Sequence, residues 1–241
     1  MAKYRLSDAR RVTTYTSNWG YFAIRPVSDR MLWIVANYVN TTPNRLTLFS
    51  FVINLAAAWS FYNAKPAYLV IGGLLFELAY AIDCIDGGLA RLTGRTSKIG
   101  AYLDDMTAYW GLFFVVLGLA YGQFTLTGDL VYLLLGFAYL FIHLVSWLEY
   151  FVSQKSGFTA SDSDSSPIPV IQPDSLVGRI RTWLHAKHII IGLTVTDVDA
   201  LVLFVFPIIN QAKAGLFLGF CLILAQFMLS WAFMFWNQRR H

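Results

Sequence analysis

Apolar residues run through this chain in long blocks with few polar interruptions, without the period-two alternation of a half-buried strand. A helix needs about 20 consecutive apolar residues to cross a bilayer. Six blocks reach or approach that length: 44–63, 67–90, 100–122, 130–152, 197–212 and 214–237. The pattern therefore predicts an all-α integral membrane protein of six transmembrane helices. The fifth block is short and contains Pro207, so a kink or tilt is expected there. A different rhythm marks 21–39, where Arg25, Asp29 and Arg30 interrupt the apolar residues. That spacing suits an amphipathic helix on the membrane surface, ahead of the first span. Ser153–Asp174 is rich in Ser, Asp and Pro and reads as a mobile loop, and 175–193 reads as a second interfacial helix. The chain is expected to form one transmembrane domain over 1–241. Within it, 1–40 is an interfacial N-terminal segment, and 153–195 is a loop carrying an interfacial helix.

Composition agrees: 57% of residues are hydrophobic and 13% charged, against about 25% charged in a soluble domain. The 8 Trp and 13 Tyr suit rings that anchor helices at headgroup level. Charge placement then sets orientation. Of the 18 basic residues, all but Lys65 and Lys213 fall before the first span, between spans two and three, between four and five, or after the sixth. The positive-inside rule makes that side cytoplasmic, with both termini on it. The net charge of +4 is thus a signal of topology and of contact with anionic membrane lipids, and nucleic acid is not expected as a partner. The first thirty residues are basic and polar without a short apolar core, so no cleavable signal peptide is expected. Cys84 and Cys221 sit in apolar blocks without metal-ligand spacing and read as core thiols.

The chemistry is concentrated in 83–108, DCIDGGLARLTGRTSKIGAYLDDMTA. Asp83 and Asp86 are three apart and share one helix face. Arg91 follows near the end of that helix, and Asp104 comes one turn after Gly100 opens the next. The short connection forces the two helices antiparallel, so the carboxylates can converge. An acidic group in a bilayer costs on the order of 2.5–3.5 kcal/mol on insertion scales, and three together repel. A divalent cation removes both penalties, Mg²⁺ preferring carboxylates, water and substrate phosphates. Gly87 leaves room for a ligand at the backbone, and Arg91 can pair with a phosphate. These residues suggest a metal–pyrophosphate site facing the cytoplasm.

They also resemble a known pattern, that of the CDP-alcohol phosphotransferases: D-x2-D-G-x2-A-R, eight residues, then G-x3-D-x3-D. Here Asp83, Asp86, Gly87, Ala90, Arg91, Gly100 and Asp104 stand at those spacings. Thr42-Pro43-Asn44 and Leu46-Thr47, leading into the first span, extend the likeness. The resemblance implies transfer of a phospho-alcohol from a CDP-alcohol donor to a hydroxyl acceptor with release of CMP, as in phospholipid biosynthesis. It also implies that Asp83, Asp86 and Asp104 bind Mg²⁺ or Mn²⁺. Asn44, Thr47, Gly87, Ala90 and Arg91 would surround the CMP portion, and a homodimer would be expected.

The last Asp of the pattern, regarded in the family as the base for the acceptor, falls on Ala108. Losing a general base forfeits about 10²–10⁴ in rate. Four readings stand open. Asp105 substitutes as base, re-aimed by a local bulge. The acceptor arrives ionised or is deprotonated by Glu149 or Asp197. The scaffold runs metal-assisted ionisation, cyclisation or cleavage of another diphosphate, such as a prenyl diphosphate. Or the chain is an inactive or binding-only homologue, or altered at this position. Glu77 is expected to make a packing hydrogen bond, His143 to be a satisfied core histidine, and His185 and His188 to be interfacial. Asp197 and Asp199 are expected to cap the fifth span.

Overall fold

The computed structural model describes residues 3–14, 17–156 and 193–238. Ser153–Ser156, predicted as the start of the loop, instead continue a helix. The rest of that loop and the predicted helix at 175–193, with His185 and His188, fall outside the described residues apart from Leu193. Every regular element among the described residues is helical.

Helix ends follow local chemistry. α1 (Leu6–Val12) and α2 (Arg25–Tyr38) precede the membrane region, with a π-helical turn at Gly20–Ile24 leading into α2. α3 (Pro43–Tyr62) begins behind extended Thr42 with proline in its first turn, where no N–H is needed. α4 (Pro66–Thr93) starts the same way and stops at Gly94, whose φ of 68° closes the helix in the left-handed region. α5 (Lys98–Thr127) opens on Ser97, whose side chain accepts from the Gly100 N–H at 3.0 Å, and ends at Gly128. α6 (Val131–Ser156) follows. α7 (Val195–Ala200) runs through a π turn at Leu201–Val205 into a last turn at Phe206–Ile208, and α8 (Ala212–Gln238) completes the order.

Four of these helices are long and apolar enough to cross a membrane: α4, α5, α6 and α8. The predicted first block forms α3, but Asn44, Arg45, Thr47, Ser50, Asn54 and Ser60 dilute its hydropathy. The fifth block is no single straight helix, because the π turn interrupts it before Pro207.

α3 lies against both α4 and α5. Its Ala57 and Phe61 join Leu69 of α4 and Val115, Val116 and Leu119 of α5 in the main core, which Tyr139, Val202, Leu216 and Ile223 complete. The α3–α5 seam depends on missing side chains. A Cβ on Gly118 would lie 2.3 Å from the Ala58 carbonyl oxygen, and one on Gly122 2.4 Å from that of Phe61. Small residues are what let helices approach this closely where lipid supplies no hydrophobic drive.

The stretch 21–39, predicted as one amphipathic surface helix, forms the π turn and α2, and α2 packs against its neighbours. Leu32 packs with Ala9 of α1 and with Ile85 and Leu89 of α4. Buried Asp29 accepts from Thr13 Oγ1 at 2.7 Å and pairs with Arg25 at 3.3 Å. The two N-terminal helices are thereby fastened to the Asp86 end of α4. At the other end, Lys213 beside Asp129 holds that exposed carboxyl below its usual range.

Replacing Gly118 with Ala puts a methyl group into the Ala58 carbonyl and forces α3 from α5. The expected loss is about 1–3 kcal/mol, the usual cost of overpacking. It is read as a lower melting temperature in detergent, and an unchanged melting temperature would refute the close seam.

Candidate active site where α4 turns into α5

Four residues, 94–97, separate α4 from α5, so the two helices fold back on each other. Asp83 and Asp86 on the last turns of α4 thereby meet Asp104 near the start of α5. One carboxylate oxygen from each lies within 4.8 Å of the other two. Asp86 is buried and its Oδ2 accepts from Thr47 Oγ1 at 2.5 Å, so α3 fixes its direction. Asp104 Oδ1 is buried without a hydrogen-bond partner.

Like charges this close repel, and an unsatisfied buried oxygen is costly. Three hard oxygen donors aimed at one point, one of them unpartnered, fit a divalent cation of the magnesium or manganese kind.

A cleft of about 160 Å³ opens beside Asp86 and Asp104. Asn44, Thr47, Gly87, Ala90 and Arg91 all line it, together with Arg95 and the N-terminal residues of α5. Gly100 permits the close approach of α3: a Cβ there would lie 3.1 Å from Asn44 Oδ1. Gly87 lines the cleft and also makes room for a neighbour. A Cβ there would meet the Arg91 guanidinium at 3.3 Å, so the open backbone makes room for that group. Arg91 Nε donates to the Val12 carbonyl oxygen at 2.6 Å, and α1 thus holds the guanidinium at the cleft.

Asp83 faces a second cavity of about 300 Å³, which shares no lining residue with the first. Ala108 lines this second cavity, with Asn54, Glu77, His143 and Asp199. The sequence predicts packing roles for both Glu77 and His143. Glu77 does make a packing hydrogen bond, accepting from Trp19 Nε1 at 2.9 Å, but its Oε1 is buried and unpartnered. His143 Nε2 lies 2.9 Å from Asp199 Oδ1, where it pairs when the ring is protonated, and it makes no hydrogen bond. The row Glu77–Tyr80–Asp83, at i, i+3 and i+6, was the sequence signal that could have placed Glu77 on the cavity.

Asp105 is exposed and lines neither cavity. Asp197 is occupied: it accepts from the Trp19 N–H at 2.7 Å and from the Thr194 N–H at 2.8 Å. It completes a capping box behind Thr194, which is the N-cap of α7. Asp199 does not cap; it accepts from Tyr139 Oη at 2.5 Å. Glu149 Oε1 accepts from Ser230 Oγ at 2.9 Å, joining α6 to α8.

Residues 40–238 match the family model described as CDP-alcohol phosphatidyltransferase, which covers most of the sequence. The chain belongs to the CDP-alcohol phosphatidyltransferase family. Among its relatives is an archaetidylinositol phosphate synthase of Pyrococcus horikoshii, 39% identical over 64 residues, covering 27% of this chain and 32% of that protein. Another is a bifunctional IPC transferase and DIPP synthase of Thermococcus kodakarensis. It is 34% identical over 82 residues, covering 34% of this chain and 18% of that one. The match thus spans a third or less of the length of either relative. The fold resembles that of Mycobacterium tuberculosis phosphatidylinositol phosphate synthase, solved with CDP-DAG bound. The TM-score is 0.53 and the identity 16%, over 88% of this chain and 93% of that one. With four membrane-length apolar helices, this member of the family is an integral membrane protein.

The carboxylate cluster of this family member generates a stability test. One bound ion at a hundred times its Kd adds about 2.7 kcal/mol, so Mn²⁺ should raise the melting temperature measured in EDTA. Asp104→Asn removes one repelling charge. It should melt higher than the parent in EDTA and gain little from Mn²⁺. A full Mn²⁺ gain in that variant would exclude Asp104 as a ligand.

Proposed function

We propose that this chain is a transferase that moves a phospho-alcohol from a CDP-alcohol donor to an acceptor hydroxyl and releases CMP, at the cytoplasmic face of the membrane. The observation that carries the reading is the convergence of Asp83, Asp86 and Asp104 beside a cleft lined by Asn44, Thr47, Gly87, Ala90 and Arg91. A divalent cation held by those three carboxylates, Mg²⁺ or Mn²⁺, would offset the charge of the diphosphate and of the departing CMP. Arg91, held at the cleft by α1, is suited to pair with a phosphate, and Arg95 adds a second cation. Thr47 keeps Asp86 aimed at the cluster. The relatives' names and the CDP-DAG complex of the structural neighbour favour a lipid-linked CDP donor.

The same reading takes α3 and the interrupted helix after Thr194 as the two remaining crossings, which puts both termini on the cytoplasmic side. Arg91, Arg95 and Lys98 stand at the α4–α5 turn and Arg45 in the first turn of α3, in keeping with that orientation. The family likeness adds a homodimer. Ala108 leaves the acceptor side without the carboxylate of the family pattern. Asp105 is exposed outside both cavities, whereas Glu77 and His143 line the cavity that Ala108 lines. The role of base is therefore better placed on that wall than on Asp105.

A prenyl diphosphate substrate calls for an apolar, aromatic-lined cavity at the carboxylates. An aromatic groove of about 510 Å³ does run between α5 and α6, but none of Asp83, Asp86 and Asp104 lines it. The cavity that does hold Asp83 has Trp19, Phe76, Tyr80 and Tyr109 in its lining, but Asn54, Glu77, His143 and Asp199 interrupt it with polar groups. The CDP-alcohol reading is the stronger.

Purified protein incubated with a panel of CDP-alcohols and Mg²⁺ or Mn²⁺ should release CMP. Asp83→Asn should lower that release by more than about 100-fold, beyond the cost of a lost outer-shell partner at a metal site. Thr47→Val, which only frees Asp86, should weaken Mn²⁺ binding by about 10–100-fold. Equal CMP release from the parent and the Asp83 variant would refute the site, and no release with any donor would point to a binding-only homologue.

A further inference from the structure

The second cavity has no part in holding a diphosphate, yet it adjoins the carboxylate cluster through Asp83. Its volume, about 300 Å³, is several times the ~30 Å³ that one water takes up in the liquid. Three of its lining groups, from three helices, carry buried atoms without a hydrogen-bond partner: Asn54 Oδ1, Glu77 Oε1 and His143 Nε2, the last with the Asp199 carboxylate 2.9 Å away. The His143 side chain is 10% exposed. Buried polar atoms are nearly always paired, so three on one cavity wall ask for an occupant. The amide and carboxylate oxygens only accept hydrogen bonds, so the occupant has to donate. Charge narrows the choice further. Among the described residues no Lys or Arg lines the cavity, while Glu77, Asp83 and Asp199 do. Even with Asp83 committed to a cation, two carboxylates remain to repel an anion.

Resting on the transferase reading above, we propose that this cavity receives the acceptor and that the acceptor is an uncharged alcohol. Its hydroxyl is held by Asn54, Glu77 and His143, in space that Ala108 leaves open. A phosphorylated acceptor is excluded by the same wall. Two sources share this chemistry: a water-soluble polyol, and a lipid alcohol entering from the bilayer.

The test is direct binding to the full-length protein in nanodiscs, measured by thermal protection so that it does not depend on turnover. The uncharged probes are myo-inositol, glycerol and dioleoylglycerol. The charged ones are inositol 1-phosphate and glycerol 3-phosphate. At least one uncharged probe should bind and neither charged one should, and whether that probe is soluble or lipidic assigns the source. Ala108→Phe fills the cavity and should weaken that binding at least 10-fold while leaving protection by CDP with Mn²⁺ intact. Glu77→Gln, which hardly changes shape, should weaken it as well. Binding of the phosphorylated probes alone overturns the proposal. So does binding of no probe, which means a cavity filled with water only, or uncharged binding that Ala108→Phe leaves unaffected. Loss of CDP protection and of CMP release in the parent protein would instead sink the transferase reading, since probe binding is scored separately.

Discussion

Three carboxylates packed within 4.8 Å of one another at the end of an apolar helix pair form an arrangement that neither the bilayer nor the protein tolerates unaided. Their repulsion and lost hydration can be offset by protonation or by a bound cation. Much of the surrounding structure serves to hold the arrangement. Thr47 of α3 takes one oxygen of Asp86, and the short 94–97 turn brings Asp104 back to the same point. The α3–α5 seam, closed to backbone contact at Gly118 and Gly122, keeps α3 near enough for Thr47 and Asn44 to reach.

The N-terminal helices belong to this scheme too. α1 and α2 sit on Ile85 and Leu89, on the same turns of α4 that carry Asp86. The buried Asp29, satisfied by Thr13 and Arg25, joins the two helices, and Val12 anchors the Arg91 side chain. A segment that reads as a mere surface helix therefore helps to position a cation at the cleft.

The cluster divides two cavities of different character. The first has arginines, a helix N-terminus and the motif residues, all suited to phosphate and nucleotide. The second has carboxylates, an imidazole and an amide, with Ala108 at the spacing where the motif resemblance read from the sequence would set an acid. An alanine at that position is a loss when only the motif is considered. Inside the fold it is also a gain of space beside several unpartnered polar atoms.

Spacing along the chain was enough to find the cluster, because Asp83, Asp86 and Asp104 lie on two consecutive helices joined by a short turn, where helical periodicity and chain connectivity leave little freedom. The membrane-length helices were legible for a similar reason, since hydrophobic length is a property of each segment alone. The second cavity was not legible. Trp19, Asn54, Glu77, His143 and Asp199 come from five separated parts of the chain, and each alone resembles an ordinary packing or capping residue. Whether a buried polar atom finds a partner depends on the packing of all its neighbours at once. Only the assembled tertiary structure could show that Asp197 is satisfied while Glu77 keeps a buried oxygen without a hydrogen-bond partner.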